Sequence, residues 1–132
     1  MKCLKNYKME QQKIQDRNKE IAKMLGGNYK RIEELSFEPK GRWNIKQFPD
    51  AKQDYDLKFH SDYNWLMEAV EFIRLKNWSY DTYCPSNTDG EFECNFWDKI
   101  SPEIEGRSKN SLKEAVFIAV SDFAKLYNNK EL

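Results

Sequence analysis

The chain has 132 residues with 22 basic and 22 acidic side chains, so its formal net charge is zero. This length suits one compact domain around one hydrophobic core and excludes two independent cores. No run approaches the roughly 18 apolar residues that a membrane-spanning helix needs, and the first residues lack the apolar segment of a signal peptide. We therefore expect a protein of the cytoplasm that does not enter a membrane.

The composition favours a folded chain with reduced cysteines. Charged residues make up 33% of the chain, but aromatic residues reach 14%, which supplies bulky side chains for a core. The chain has an odd number of cysteines, Cys3, Cys84 and Cys94, and no two of them form a C-x-x-C motif. A disulfide framework is therefore not expected. A pairing of Cys84 with Cys94 across a hairpin is the alternative to plain buried thiols.

Charge is distributed unevenly along the chain. Residues 1–31 carry nine Lys or Arg and three Asp or Glu, whereas residues 77–105 carry one Lys and seven Asp or Glu. Such an asymmetry can steer a partner, pair the two ends of one molecule, or form solvated faces.

The first predicted element is a helix over residues 9–25, within an N-terminal segment of residues 1–27. It contains no Pro or Gly, and Gly26 and Gly27 are suited to its C-terminal cap. Arg17 and Asn18 interrupt its apolar stripe, which predicts a helix on the surface of the domain. The apolar residues near helical spacing are Ile14, Ile21, Met24 and Leu25.

The next segment, residues 28–57, loses helical period and is interrupted by Pro39, Gly41 and Pro49. Prolines and glycines at these spacings predict irregular chain with one or two short strands. Residues 41–46 are the best candidate strand.

A helix–hairpin–helix core is predicted over residues 57–128. Its first helix has Ser61 as the predicted N-cap, Asp62 in the first turn, and an end near Lys76 and Asn77. The residues that follow helical spacing on its apolar face are Trp65, Leu66, Ala69, Val70, Phe72 and Ile73.

The alternation in residues 78–84 and 91–96 predicts an antiparallel hairpin that packs one face against helices. That face carries Trp78, Tyr80, Thr82, Cys84, Phe92, Cys94 and Phe96. A polar loop with Pro102 and Gly106 is predicted to leave the hairpin.

The last predicted helix begins with Ser111-Leu112-Lys113-Glu114, a capping box in which Ser111 and Glu114 each satisfy a backbone amide. It ends at Asn128 and Asn129. Its apolar positions are too many for one narrow stripe, which predicts the central packing element. They are Leu112, Ala115, Val116, Ala119, Val120, Phe123, Ala124 and Tyr127, widened by Phe117 and Ile118.

Two stretches of this core resemble the phage ABA sandwich domain, a family of small proteins encoded by bacteriophages and prophages. They are residues 57–67 (LKFHSDYNWLM) and residues 111–116 (SLKEAV) continuing to 123–128 (FAKLYN). With the hairpin between them, they cover about residues 57–128. The resemblance implies an α+β fold, a small antiparallel sheet in a helix/sheet/helix sandwich, and it carries no active site to this chain.

Reactive side chains are few, and each has a structural interpretation beside a chemical one. His60 with Asp62, or with Cys84 and Cys94, would suit nucleophilic catalysis or a zinc site, but the spacing gives no support for convergence. We expect His60 to brace the start of a helix. The hairpin acids would suit Mg²⁺ or acid/base chemistry, and they also suit an edge strand protected from aggregation. They are Glu91, Glu93, Asp98 and, across from them, Asp81.

Two further groups bear on partners. A basic N-terminal stretch, interrupted by Asp16 and Glu20, offers possible phosphate contacts. It comprises Lys2, Lys5, Lys8, Lys13, Lys19, Lys23, Lys30 and Arg31, with Tyr7 and Tyr29. Trp43, Trp78 and Trp97 are candidates for an exposed aromatic patch, although such rings more often belong to the core.

We therefore predict no catalytic, cofactor-binding or metal-binding residue. The expected function is a non-enzymatic protein-interaction domain of phage or prophage type, acting on a phage or host protein. The alternative is a nucleic-acid-binding accessory factor that uses the basic N-terminal helix. A small hydrolase or metal enzyme would require His60 and the hairpin acids to meet in one pocket.

Overall fold

The computed structural model describes the backbone of residues 2–32 and 40–132 and the side chains of residues 11–30 and 41–132. This part of the chain contains three α-helices, five strands and a short 3-10 helix, which confirms the α+β class. In chain order the elements are α1 (Lys2–Met24), β1 (Asn28–Ile32), β2 (Lys40–Asn44), the 3-10 helix (Asp54–Asp56), α2 (Tyr63–Leu75), β3 (Ser79–Tyr83), β4 (Phe92–Trp97), β5 (Ile104–Ser108) and α3 (Leu112–Asn128).

The strands form two antiparallel sheets. β1 pairs with β2, and β3, β4 and β5 form a second sheet in that order, so β4 is its central strand. The two-stranded sheet contains the strand predicted near residues 41–46. Its Trp43 is buried and donates from Nε1 to Asp54 Oδ1 over 2.7 Å, which ties this sheet to the 3-10 helix.

Helix α3 is the central packing element, as predicted. It contacts the three-stranded sheet, α1 and α2, and its apolar side chains are buried around most of its circumference. Val116 and Phe123 of α3 meet Leu66 and Val70 of α2 in one hydrophobic core. The α+β sandwich architecture is thereby confirmed, and its layers follow the order three-stranded sheet, α3, α1, so helices cover one face of that sheet.

Helix α1 is buried more deeply than its sequence suggests. Its last turns enter the core through Ile21, Ala22, Met24 and Leu25. Arg17 and Asn18, whose polarity predicted a surface helix, instead pack inward through hydrogen bonds. Arg17 Nη1 donates to Ser121 Oγ over 2.6 Å and to Asp122 Oδ1 over 2.8 Å. The prediction treated polar residues as solvated, whereas Arg17 has polar partners on α3 and Asn18 has them in the segment before α2.

The start of α2 corrects the predicted cap. Asp62, not Ser61, is the N-cap, because its Oδ1 accepts from the amides of Asn64 and Trp65 at 2.8 and 3.4 Å. Helix α2 ends where predicted, with Lys76 as its C-cap and Asn77 in a left-handed conformation.

The hairpin pairs antiparallel as predicted, and the alternative pairing of Cys84 with Cys94 is not formed. Tyr80 lies opposite Phe96, and Thr82, not Cys84, lies opposite Cys94. Cys94 is buried, whereas Cys84 is exposed, and both thiols are free. Cys84 lies beyond Tyr83, the last paired residue of β3. It is therefore outside the core, whereas the sequence predicted it on the buried face of the hairpin. Cys3 lies outside the described side chains.

The segment predicted as a polar loop contains a third strand, β5, which pairs with β4. Its buried positions are Ile104, Gly106 and Ser108, so apolar alternation is almost absent. Gly106 lies so close to α3 that a Cβ there would collide with the backbone of Ala115 and Ala119. The strand was missed because its fit depends on the absence of a side chain at Gly106.

One of the two hydrogen bonds of the capping box predicted at the start of α3 is formed. Ser111 Oγ accepts from the amide of Glu114 over 3.1 Å. The Glu114 carboxylate does not complete the box, since it accepts from Ser108 Oγ and Asn110 Nδ2 instead.

Candidate functional site

His60 is held by Asn18 and not by a catalytic partner. Asn18 Nδ2 lies 2.9 Å from His60 Nδ1 and 3.3 Å from the Leu57 carbonyl oxygen. The nearby Asp62 carboxylate is occupied by the amides of α2. His60 thus joins α1 to the start of α2, in line with the predicted bracing role. Burial, and secondarily the charge of Lys113, lowers the pKa of His60 from its usual 6.5.

The hairpin acids do not form one cluster. Asp98 accepts from the amides of Ile100 and Ser101 and closes a turn. Asp81 accepts from Asn95 Nδ2 over 3.1 Å. Glu93 belongs to β4, the central strand, so protection of a sheet edge is the wrong explanation for it. Among the described residues, no group of three or more His, Cys, Asp or Glu is arranged to hold a metal ion.

Two of the predicted acids, Asp81 and Glu93, instead share a surface with other polar and aromatic residues, which we name the open sheet face. It is the side of the three-stranded sheet turned away from α3, and side chains alternate onto it along each strand. It consists of Ser79, Asp81, Tyr83, Glu93, Asn95, Trp97, Glu105 and Arg107.

The open sheet face is electronegative. Asp81, Glu93 and Glu105 bring three carboxylates to it against the one guanidinium of Arg107. Arg107 lies 3.3 Å from Glu93 Oε1 and 2.8 Å from Glu105 Oε1. A hydrogen bond between the two carboxyl groups raises the pKa of Glu93, while Arg107 lowers the pKa of Glu105. The Arg107 guanidinium therefore forms ion pairs with both Glu93 and Glu105, whose carboxylates are close enough to repel each other when both are ionised.

Hydrogen-bond acceptors are in surplus on this face. Asn95 directs its Nδ2 to Asp81, so its Oδ1 is left over, and that oxygen is buried without a donor among the described residues. A buried acceptor without a partner is costly, so this oxygen adds to the unfavourable polarity of the face.

Two aromatic rings on this face remain in water. Trp97 is 38% exposed and Tyr83 is 50% exposed, whereas Trp43 and Trp78 belong to the core. Of the three tryptophans singled out in the sequence, Trp97 is the exposed one. An exposed ring beside carboxylates suits a cationic partner, since cations bind both groups.

A second feature is a cavity between α1 and α3, which we name the His60 cavity. It has a volume of about 450 Å³, and its described lining comes from three segments of the chain. Lys13 and Arg17 come from α1, His60 from the turn before α2, and Lys113 and Phe117 from α3. The sequence singled out His60 and Lys13, but it could not show that they converge.

Acidic residues lie next to two lysines of the basic stretch whose side chains the structure describes. Lys19 pairs with Asp54 over 3.4 Å, and Asp16 and Glu20 line a groove together with Lys13. The side chains of Lys2, Lys5, Lys8, Tyr7 and Arg31 lie outside the described residues.

No helix in the described part of the chain combines the length and the apolar character that a membrane crossing requires. Comparison with protein families, with curated proteins and with solved structures found no match for this chain. The resemblance to the phage ABA sandwich domain therefore stays a prediction from sequence.

Proposed function

We propose that this protein is a non-enzymatic protein-interaction domain that binds a basic segment of a phage or host protein on the open sheet face. The observation that carries the proposal is the excess of acceptors over donors on that face. Asp81, Glu93 and Glu105 outnumber Arg107. A partner rich in Lys or Arg supplies both the positive charge and the donors.

The exposed aromatic rings support the same partner. Trp97 and Tyr83 border the carboxylates and offer flat surfaces on which a guanidinium can stack. Arginine and aromatic residues also dominate the binding energy of many protein interfaces. The proposal places the protein in the cytoplasm of a host cell, where the exposed Cys84 thiol stays reduced.

A synthetic peptide of alternating arginine and serine tests the proposal by titration calorimetry. Because the formal net charge of the chain is zero, attraction to the peptide must come from a local surface. We expect saturable, salt-sensitive binding, and no binding of the analogue with glutamate in place of arginine. The double variant Glu93→Gln/Glu105→Gln should weaken binding about tenfold or more.

The matched control is Glu68→Gln/Glu71→Gln, which makes the same change of charge on the exposed side of α2. It should bind the peptide like the unchanged protein. Equal loss in both double variants, or equal binding of the acidic peptide, would overturn the proposal. So would association of two copies through this face that the basic peptide does not displace.

Nucleic-acid binding by the basic N-terminal helix is the alternative function. Truncation of that helix would not test it, because Ile21 and Leu25 belong to the core and their loss would unfold the domain. Substitution by Gln of the exposed Lys23 of α1, and of the exposed Lys30 on the strand β1 that follows it, is the cleaner test. Salt-dependent binding to DNA or RNA that these changes weaken would favour the alternative.

A further inference from the structure

We propose that the His60 cavity binds a small organic anion, a carboxylate or a phosphate monoester that carries an apolar body. The cavity lies between α1 and α3, apart from the open sheet face, so this inference goes beyond the proposed protein interaction. Its volume of about 450 Å³ is in the range of small-molecule sites.

The charge of the described lining favours an anion. Lys13, Arg17 and Lys113 are the cations of the lining, and Arg17 is paired with Asp122, so the two lysines supply the unpaired positive charge. Glu114 is the one acid among the described lining side chains. The Glu114 carboxylate accepts from Ser108 and Asn110 and forms no ion pair with Lys13 or Lys113, so its single negative charge offsets part of the positive charge of the lining and leaves it net positive. The adjoining groove along the same two helices differs, because its described lining balances Lys13, Arg17 and Lys125 with three acids.

The floor of the cavity favours an apolar body on the ligand. Ile14, Phe117 and Ile118 line it beside the cations. A site with an apolar wall and few convergent polar groups binds an amphipathic ligand better than a bare ion. Inorganic phosphate alone would leave these side chains in contact with water.

His60 supplies a neutral donor of fixed tautomer. The Leu57 carbonyl can only accept, so Asn18 presents its Nδ2 and His60 Nδ1 must accept from it. The ring proton is therefore on Nε2, which is left free to donate to an anion.

The placement of Lys113 is also informative. It lies in the first turn of α3, where the helix dipole disfavours a cation. Its Nζ donates to the Ser61 carbonyl at 3.2 Å and faces the cavity with its charge unneutralised by a described carboxylate. A bound anion would offset the unfavourable position.

The experiment uses phenyl phosphate as the probe and the signals of the imidazole ring of His60 in NMR spectra as the readout. His60 is the only histidine of the chain, so these signals need no assignment. We expect a saturable shift with phenyl phosphate, at least about tenfold tighter than with inorganic phosphate. Benzyl alcohol, which has the ring without the charge, should cause no saturable shift.

The variant Lys113→Gln should weaken phenyl phosphate binding about tenfold. Lys125→Gln, on the same helix but lining only the balanced groove, is the matched control and should leave binding unchanged. Thermal unfolding of both variants establishes that they fold. The proposal is overturned if phenyl phosphate causes no saturable shift, if benzyl alcohol binds equally well, or if Lys113→Gln binds like the unchanged protein.

Discussion

At the scale of single residues, the polar groups that look reactive in the sequence mostly serve the fold. Asp62 caps α2, Asp98 closes a turn, and Asn18 and His60 join α1 to the segment before α2. These groups are hydrogen-bonded locally, as buried polar groups usually are. Two buried side-chain oxygens lack a donor among the described residues, Asn18 Oδ1 and Asn95 Oδ1, and the second belongs to the open sheet face.

The first prediction concerns the titration of His60. Its pKa in the folded protein should lie below 6.5, because burial disfavours the charged ring and Lys113 repels it. The unfolded chain then binds the proton more tightly, so stability is full above about pH 6.5 and falls as the pH drops through the folded-state value. The imidazole NMR signal gives the midpoint, and Lys113→Gln should move it upward. A midpoint at or above 6.5 would contradict the assignment.

The second prediction separates two thiols. Burial raises the pKa of Cys94 to about 12, whereas Cys84 is exposed. In a Cys3→Ser variant, a thiol reagent such as Ellman's reagent should modify Cys84 rapidly in the native protein and reach Cys94 only on unfolding. Similar rates for the two cysteines would show that β4 does not bury its thiol.

At the scale of elements, the strength of each local signal decided what the sequence could predict. Helices α2 and α3 were predicted almost to the residue, because the apolar spacing and the capping residues that define a helix lie within its own segment of sequence. Strand β5 was missed, since Gly106 and Ser108 fill its buried positions and only their contact with α3 explains them. Gly106 is thus a packing residue that no local pattern reveals.

The third prediction tests the corrected cap of α2. Asp62→Ala should lower the free energy of unfolding by about 1 kcal/mol, because two backbone amides lose their acceptor. Ser61→Ala should change it by less than about 0.5 kcal/mol, since no helix amide depends on that hydroxyl. Urea denaturation of both variants measures the difference. A larger effect at Ser61 would restore the cap that the sequence suggested.

The fourth prediction concerns the contact between β5 and α3. Gly106→Ala should lower the free energy of unfolding by about 2–3 kcal/mol, because the new methyl group meets the backbone of α3. Gly26→Ala is the control, with open space around it but a φ of +90°, and should cost about 1 kcal/mol. If Gly106→Ala proved as mild as the control, the close approach of β5 to α3 would be wrong.

At the scale of the whole molecule, the fold separates two charged surfaces on either side of α3. The open sheet face is turned away from α3 and carries surplus carboxylates, while the His60 cavity lies between α3 and α1 and carries surplus cations. The sequence showed the same asymmetry as an acidic and a basic segment. It could not show which side chains share a surface, because strand order and helix packing bring together Glu93 with Glu105 and Lys13 with Lys113.

The most direct test of the proposed interaction is to map the bound arginine–serine peptide by NMR chemical shifts of the backbone amides. We predict that the perturbed amides cluster on β3, β4 and β5, centred on Asn95 and Trp97, and that α1 and the His60 cavity stay unchanged. Perturbations centred on α1, or spread evenly over the molecule, would contradict the assignment of the open sheet face as the binding surface.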